Sequence, residues 1–191
     1  MAFSALLDAC VLYPVGVRDL LLSVAERGVY MPYWTDQILE EMERNVIGDG
    51  RATPKAMARM RELMNAAFPA ATIKGYESLI SSMTNDQKDR HVLAAAVRGN
   101  IGLIVTNNTK DFPAAACEPY DVEVQTPDEF LSYALDHDPP AVIGAVSSMS
   151  VKRTHPRLSP QELVVVLSPV LPTFCAEATP LLDTITPDSD P

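Results

Sequence analysis

Cysteine is scarce in this chain: Cys10, Cys117 and Cys175 stand far apart, odd in number and without the paired spacing of a metal-ligand set. That argues against a disulfide framework and against zinc. It points instead to buried thiols in a reducing, cytoplasmic setting. Long apolar runs are absent too. No stretch approaches the roughly 18 uninterrupted apolar residues of a membrane span, so no membrane association is expected. The opening "MAFSALLDACVLYP" has no basic leader and meets Asp8 inside its first apolar run, so it reads as a strand rather than a signal peptide. Positive charge is in short supply, with 15 Lys and Arg against 25 Asp and Glu and a net charge of −10. A broad basic surface for nucleic acid is thereby excluded. A nucleic-acid substrate is not, because a site built from carboxylates is repulsive until cations fill it, and net charge counts the carboxylates alone. No internal repeat is visible.

What is present is enough apolar residue for a sizeable core, in a length that suits one domain, or one domain with an appendage. "FSALLDACVL" fits a strand buried on both faces. "VRDLLLSVAERG" has helical spacing and stops at Gly28, and "VYMPYW" is a short second strand. Thr35 is an expected N-cap for the helix "DQILEEMERNVI", which ends at Gly48. Thr53 and Pro54 open another helix, to about Ala67. "ATIKGYESLISSM" is ambiguous between a strand and a short helix. A helix is expected from Asp86 to Arg98, ended by Gly99. The strands "IGLIVT" and "DVEVQ" follow, then the helix "DEFLSYAL" opened by Thr126-Pro127. Alternating strands and helices on short connections imply an α/β layer with a mainly parallel sheet. Beyond Asp138 the composition changes to proline-punctuated helical segments. The expected organisation is a first domain over 1–138, a helical extension over 139–180 and a frayed tail over 181–191.

Several carboxylates fall at the ends of these elements. Asp8 closes the first strand, where open parallel sheets bind ligands. A buried aspartate satisfied by backbone N–H groups is the equally weighted reading. Glu40 and Glu41 flank the apolar face of their helix formed by Ile38, Leu39, Met42 and Val46, and a surface role explains either one. Asp86 and Asp89 sit in an expected first helical turn, where the helix dipole alone favours them, and Thr84 and Gln87 have the spacing of a capping box. Thr106, Asn107, Asn108 and Asp111 follow the third strand and are ordinary turn formers. Taken together they allow a different reading. Three or four carboxylates meeting in one crevice need a cation among them, and hard oxygen ligands select Mg²⁺ or Mn²⁺. Hydrolysis of a phosphodiester is the chemistry such a site supports best.

The segments "LLDACVL", "ILEEMERN", "DQKDRHVLAAA" and "LIVTNNTKDFP" together resemble a PIN domain, the ribonuclease fold of VapC-type toxins, over roughly residues 4–135. The resemblance implies a PIN-like three-layer α/β fold and a Mg²⁺-dependent endoribonuclease, with Mn²⁺ as a substitute ion. Such an enzyme cuts single-stranded RNA, including tRNA, commonly dimerises and is restrained by a cognate antitoxin. It assigns Asp8, Asp89 and Asp111 as acidic ligands and a helix glutamate as the second acid. "WTDQILEE" places that role on Glu41, with Glu40 as the fallback. Thr106 and Asn108 match polar positions that hold a metal-bound water or a neighbouring carboxylate. Many family members carry aspartate where Asn108 stands. Asp86 is an outer acid, and His91 is expected to pack or bond locally. RNA contact falls to local groups: Arg90, Lys88, Lys110 and Arg18, with Tyr13 as a stacking ring. Lys152, Arg153, His155 and Arg157 form a small basic cluster that suits RNA, a partner or a solvated loop alike. The rival readings are a PIN-fold binding module with a decayed site and an unrelated α/β phosphohydrolase or receiver-like domain.

Overall fold

A computed structural model describes residues 3–153 and 156–184. In chain order the first elements are β1 (Phe3–Leu7), α1 (Ala9–Leu12), α2 (Val15–Glu26), β2 (Tyr30–Tyr33), α3 (Asp36–Gly48) and α4 (Pro54–Ala67). Then come α5 (Arg90–Gly99), β3 (Leu103–Val105), α6 (Ala114–Cys117) and β4 (Glu123–Gln125). The chain closes with α7 (Pro127–His137), α8 (Pro139–Lys152), α9 (Pro160–Leu167) and α10 (Pro172–Ala178). Two compact units emerge. One holds Phe3–Pro14 and Met31–Thr126; the other holds Val15–Tyr30 and the described residues from Pro127 onward. Among the described residues no helix is long and apolar enough to cross a membrane.

The first unit is built on a sheet of order β2-β1-β3-β4. β1 and β3 run parallel, with Leu6 opposite Ile104 and Leu7 opposite Val105. β3 and β4 are also parallel, pairing Ile104 with Val124 and Val105 with Gln125. Leu6, Leu7, Ile104 and Val105 are buried, as central parallel strands require. β1 is shorter than its apolar run suggested. It stops at Leu7 because Asp8 turns the chain, its Oδ1 accepting the Ala9 N–H at 2.6 Å to cap α1. "ACVL" is therefore helical. The ambiguous segment after α4 resolves into an isolated bridge between Trp34 and Thr72 and a 3-10 helix over Glu77–Ser82.

Local chemistry explains α3 and α4. The hydroxyls of Thr35 and Thr53 accept the N–H groups of Ile38 and Ala56, and Pro54 sits where no N–H is needed. Arg61 on α4 reaches back to Glu43 on α3 at 2.8 Å. α5 departs from expectation at both ends. It starts at Arg90, after a turn through Asp86–Asp89, because Asp86 Oδ1 accepts the Lys88 N–H and folds the chain before the helix can begin. The N-cap is Asp89, so Thr84 and Gln87 do not flank the helix start as a capping box would. At the far end Asn100, rather than Gly99, takes the left-handed position, at φ 51. Asn100→Ala should cost about 1–2 kcal/mol in urea unfolding, since a Cβ without a local bonding group is penalised there. Asn100→Gly should cost little.

In the second unit Asp138 caps α8 and a full capping box of Ser159 and Glu162 opens α9. Asp128 accepts the N–H groups of Thr173 and Phe174 at 3.1 and 2.9 Å, tying α7 to the start of α10. Tyr30 packs edge-on against Phe130. Arg27 donates to Ser148 at 2.8 Å and lies across Gly144, where an added Cβ would meet its guanidinium at 2.5 Å. In the basic cluster, Lys152 pairs with Glu26 at 3.4 Å, while His155 lies outside the described residues. So does most of the expected tail, from residue 185 on.

Candidate acidic site

The parallel pairing of β1 and β3 decides the site. The Asp8 N–H donates to the Val105 carbonyl at 3.1 Å, so Asp8 and Thr106 emerge side by side where the two strands end. Asp8 is only 3% exposed. Both carboxylate oxygens are engaged: Oδ1 by the Ala9 N–H, Oδ2 by the Thr106 hydroxyl at 2.6 Å and the Cys10 thiol at 3.2 Å. Thr106 Oγ1 in turn accepts the Asn108 N–H at 3.0 Å. A buried carboxylate with this many donors is held in one orientation.

Asp89 reaches the same place from the start of α5. It occupies the N-cap position yet makes no side-chain capping bond. Burial, the negative charge of Asp8 and the contact with Asp111 push its pKa up to about 6. Its Oδ2 is buried and takes no hydrogen bond. Asp111 is carried there by the 3-10 turn Thr109–Asp111 that follows β3, and its carbonyl accepts the Asp86 N–H at 3.0 Å. Asp8, Asp89 and Asp111 are thus one electrostatic group, drawn from three elements.

The remaining expected residues distribute differently. Glu41 is half-buried and sits 3.2 Å from His91 Nε2, while Glu40 is exposed. Burial raises the Glu41 pKa, but His91 and Gln37 outweigh it and hold it below the ordinary value. Asp86 forms its local turn, with Lys88 exposed beside it. Asn108 and Lys110 are exposed, and Arg90 is tied to the Asn85 carbonyl at 3.3 Å. The Tyr13 ring lies under Arg51 at 4.9 Å and its hydroxyl donates to Asp49. Arg18 is not the exposed cation expected: its side chain is 11% exposed and its Nε pairs with Asp19, because α2 turns this position inward.

Sequence reasoning passed over two neighbours. Composition places Cys10 simply among the buried thiols, yet its sulfur touches Asp8 and Thr106 and accepts the Asn107 N–H. Burial and the Asp8 charge push its pKa up to about 12. Its position two residues after Asp8 was the available signal. Asn85 is buried with both amide atoms unpartnered, and nothing in its local sequence announces that.

Two family models match the chain. The PIN domain family matches residues 4–110, more than half of the chain. The chain belongs to the PIN-domain family. The family described as VapC50 C-terminal domain matches residues 127–180, so the helices after β4 have their own counterpart. A protein of Mycobacterium tuberculosis (strain ATCC 25618 / H37Rv) named "Putative ribonuclease VapC50" is 40% identical over 113 residues, 59% of this chain and 67% of that protein. No solved structure matches the chain significantly.

PIN domains are typically metal-dependent. The residues of this PIN domain fit a hard divalent cation by two observations. The donors are carboxylate and hydroxyl oxygens, and the Asp89 oxygen that takes no hydrogen bond is buried beside two other acids. As placed, no three acidic, imidazole or thiol side chains among the described residues converge on one point. Closing on a cation would therefore need side-chain rotations. Thr106→Val tests the support of Asp8: it keeps the shape and removes the hydroxyl. Mn²⁺ affinity by calorimetry should fall about tenfold to a hundredfold.

Proposed function

We propose that this PIN-domain chain is a Mg²⁺-dependent endoribonuclease, the toxin of a toxin–antitoxin pair, that cleaves single-stranded RNA or tRNA. One observation carries the reading: burial, together with the carboxylates of Asp8 and Asp111 brought in from distant parts of the chain, lifts the Asp89 pKa to about 6. A fold that gathers unpaired negative charge in this way stores a standing preference for a cation. The name of the mycobacterial relative supports ribonuclease activity and the VapC assignment.

Asp8, Asp89 and Asp111 would hold the ion, with Glu41 as the fourth acid. A bound Mg²⁺ supplies charge neutralisation at the scissile phosphodiester and acidifies an attacking water. The chain's own part is to present oxygens in fixed directions. Thr106 and the Ala9 N–H lock Asp8, the missing capping bond leaves one Asp89 oxygen unengaged, and Asn108 anchors the loop through Thr106. Arg90, Lys110 and Tyr13 are the proposed RNA contacts, a cognate antitoxin and a second copy of the chain the proposed partners, and the cytoplasm the proposed location. We further propose that residues 1–138 act as the nuclease domain and 139–180 as its helical extension.

A second reading, a catalytically weak PIN module acting through binding, draws on the neutral Asn108 and on the lack of a three-donor convergence as placed. Purified protein incubated with total RNA, with Mg²⁺, Mn²⁺ or EDTA, separates the two. Metal-dependent cuts at defined ends, lost on chelation, are the expected result. RNA left intact with either ion, despite tight RNA binding, selects the binding module.

A further inference from the structure

We propose that His91 and Gln37 are positioning residues for Glu41, holding one oxygen of its carboxylate so that the other stays available to a divalent cation. The proposal rests on the nuclease reading above and assigns a role to residues that the acidic motif itself does not include.

Gln37 and Glu41 are neighbours at i and i+4 on α3, and Gln37 Nε2 donates to Glu41 Oε1 at 3.4 Å. His91 Nε2, from α5, lies 3.2 Å from that same Oε1. Its approach is off the line of a straight hydrogen bond, so Nε2 meets this oxygen at close range but at a poor angle. Two groups from two helices therefore address one oxygen, and Oε2 takes no hydrogen bond among the described residues. Behind Gln37, the Tyr76 hydroxyl donates to its Oε1 at 3.3 Å, which keeps the amide nitrogen turned toward Glu41. His91 is 3% exposed, its Nδ1 has no hydrogen-bond partner, and the carboxylate its Nε2 approaches is that of Glu41. Burying an imidazole at this cost makes sense if the side chain has a task. His91 follows Asp89 by two residues, which ties the placement of Glu41 to the same helix start that presents Asp89. The chain Tyr76–Gln37–Glu41–His91 is what distinguishes Glu41 from exposed Glu40.

The test is Mn²⁺ binding by calorimetry on the full chain, with thermal unfolding of each variant as a check on folding. His91→Leu should bind Mn²⁺ about tenfold to a hundredfold more weakly, the range for loss of a group that orients a ligand. His91→Gln, which restores an N–H donor, should recover most of the loss. In a Glu41→Gln background His91→Leu should add nothing further, since the residue it positions is gone. Single-turnover cleavage should show the defect in the Mn²⁺ half-saturation and leave the RNA KM unchanged. Where His91→Leu does not fold, Gln37→Leu carries the same test on the half-buried side. Wild-type Mn²⁺ affinity in a folded His91→Leu or Gln37→Leu protein overturns the proposal, as does a fully additive loss in the double variant. If Asp8→Asn abolishes Mn²⁺ binding while His91→Leu leaves it intact, only the positioning role fails. If wild-type protein itself takes no Mn²⁺, the nuclease reading falls with it.

Discussion

Asp8→Asn should lower the RNA cleavage rate by about a thousandfold while leaving a folded protein. The rate follows from charge. A cation held by carboxylates contributes several kcal/mol of transition-state stabilisation, and about 4 kcal/mol corresponds to three powers of ten. Retention of fold follows from geometry. The substituted amide keeps an oxygen for the Ala9 N–H, and its nitrogen faces the Thr106 hydroxyl, which can rotate to accept. Asp8→Ala should behave differently, because it also removes the cap of α1 and leaves the Thr106 hydroxyl buried without its acceptor, a further loss of about 1–3 kcal/mol. Initial rates on a labelled single-stranded RNA in Mg²⁺, beside thermal unfolding of both variants, check the pair. An Asp8→Asn protein cleaving within tenfold of wild type would remove Asp8 from the mechanism.

Asp89→Asn should make the metal-free protein more stable at pH 7 and remove most of the stabilisation that Mn²⁺ confers. The pKa of Asp89 is about 6 in the folded chain against an ordinary value of 3.8. Between those values the folded state binds more protons than the unfolded state. Stability attributable to this group therefore falls as pH rises through the window from about 4 to 6, and stays low above it. The neutral amide takes away that penalty, so the Tm difference, variant minus wild type, should be near zero at pH 4 and positive at pH 7. With Mn²⁺ the order reverses. Wild type gains about 2.7 kcal/mol at a hundred times Kd, and a chain lacking one ligand gains much less. Thermal unfolding from pH 4 to 8, in EDTA and in MnCl₂, measures both effects. A variant that melts lower than wild type at pH 7 without metal would mean that Asp89 stabilises the fold as a charged cap, and that the acids do not repel as described.

What was readable along the chain, and what was not, divides by range. Thr35 and Thr53 announced α3 and α4 to the residue, since a cap acts over three positions and its chemistry is contained in them. The same local logic failed at Asp8 and Asp86. "FSALLDACVL" is apolar enough to continue as a strand, and only the turn made by the Asp8 carboxylate and the Ala9 N–H stops it. Asp86 had the position of a helix opener, yet its side chain bonds Lys88 and its N–H is drawn to the Asp111 carbonyl, 25 residues further along. Arg18 was misplaced because a helix periodicity tells which residues share a face, not that α2 would turn this cation inward.

By itself the sequence determined the α/β class, the mainly parallel sheet and most of the helices, because periodicity and caps are written in neighbouring residues. Tertiary structure alone decided that Asp8, Asp89 and Asp111 share one field, that Cys10 and Thr106 grip Asp8, and that His91 meets Glu41. Those outcomes depend on β1 pairing with β3 across nearly a hundred residues, and on α3 and α5 presenting facing side chains. Coulomb repulsion and hydrogen bonding act through space, so their partners become legible only once the chain has folded.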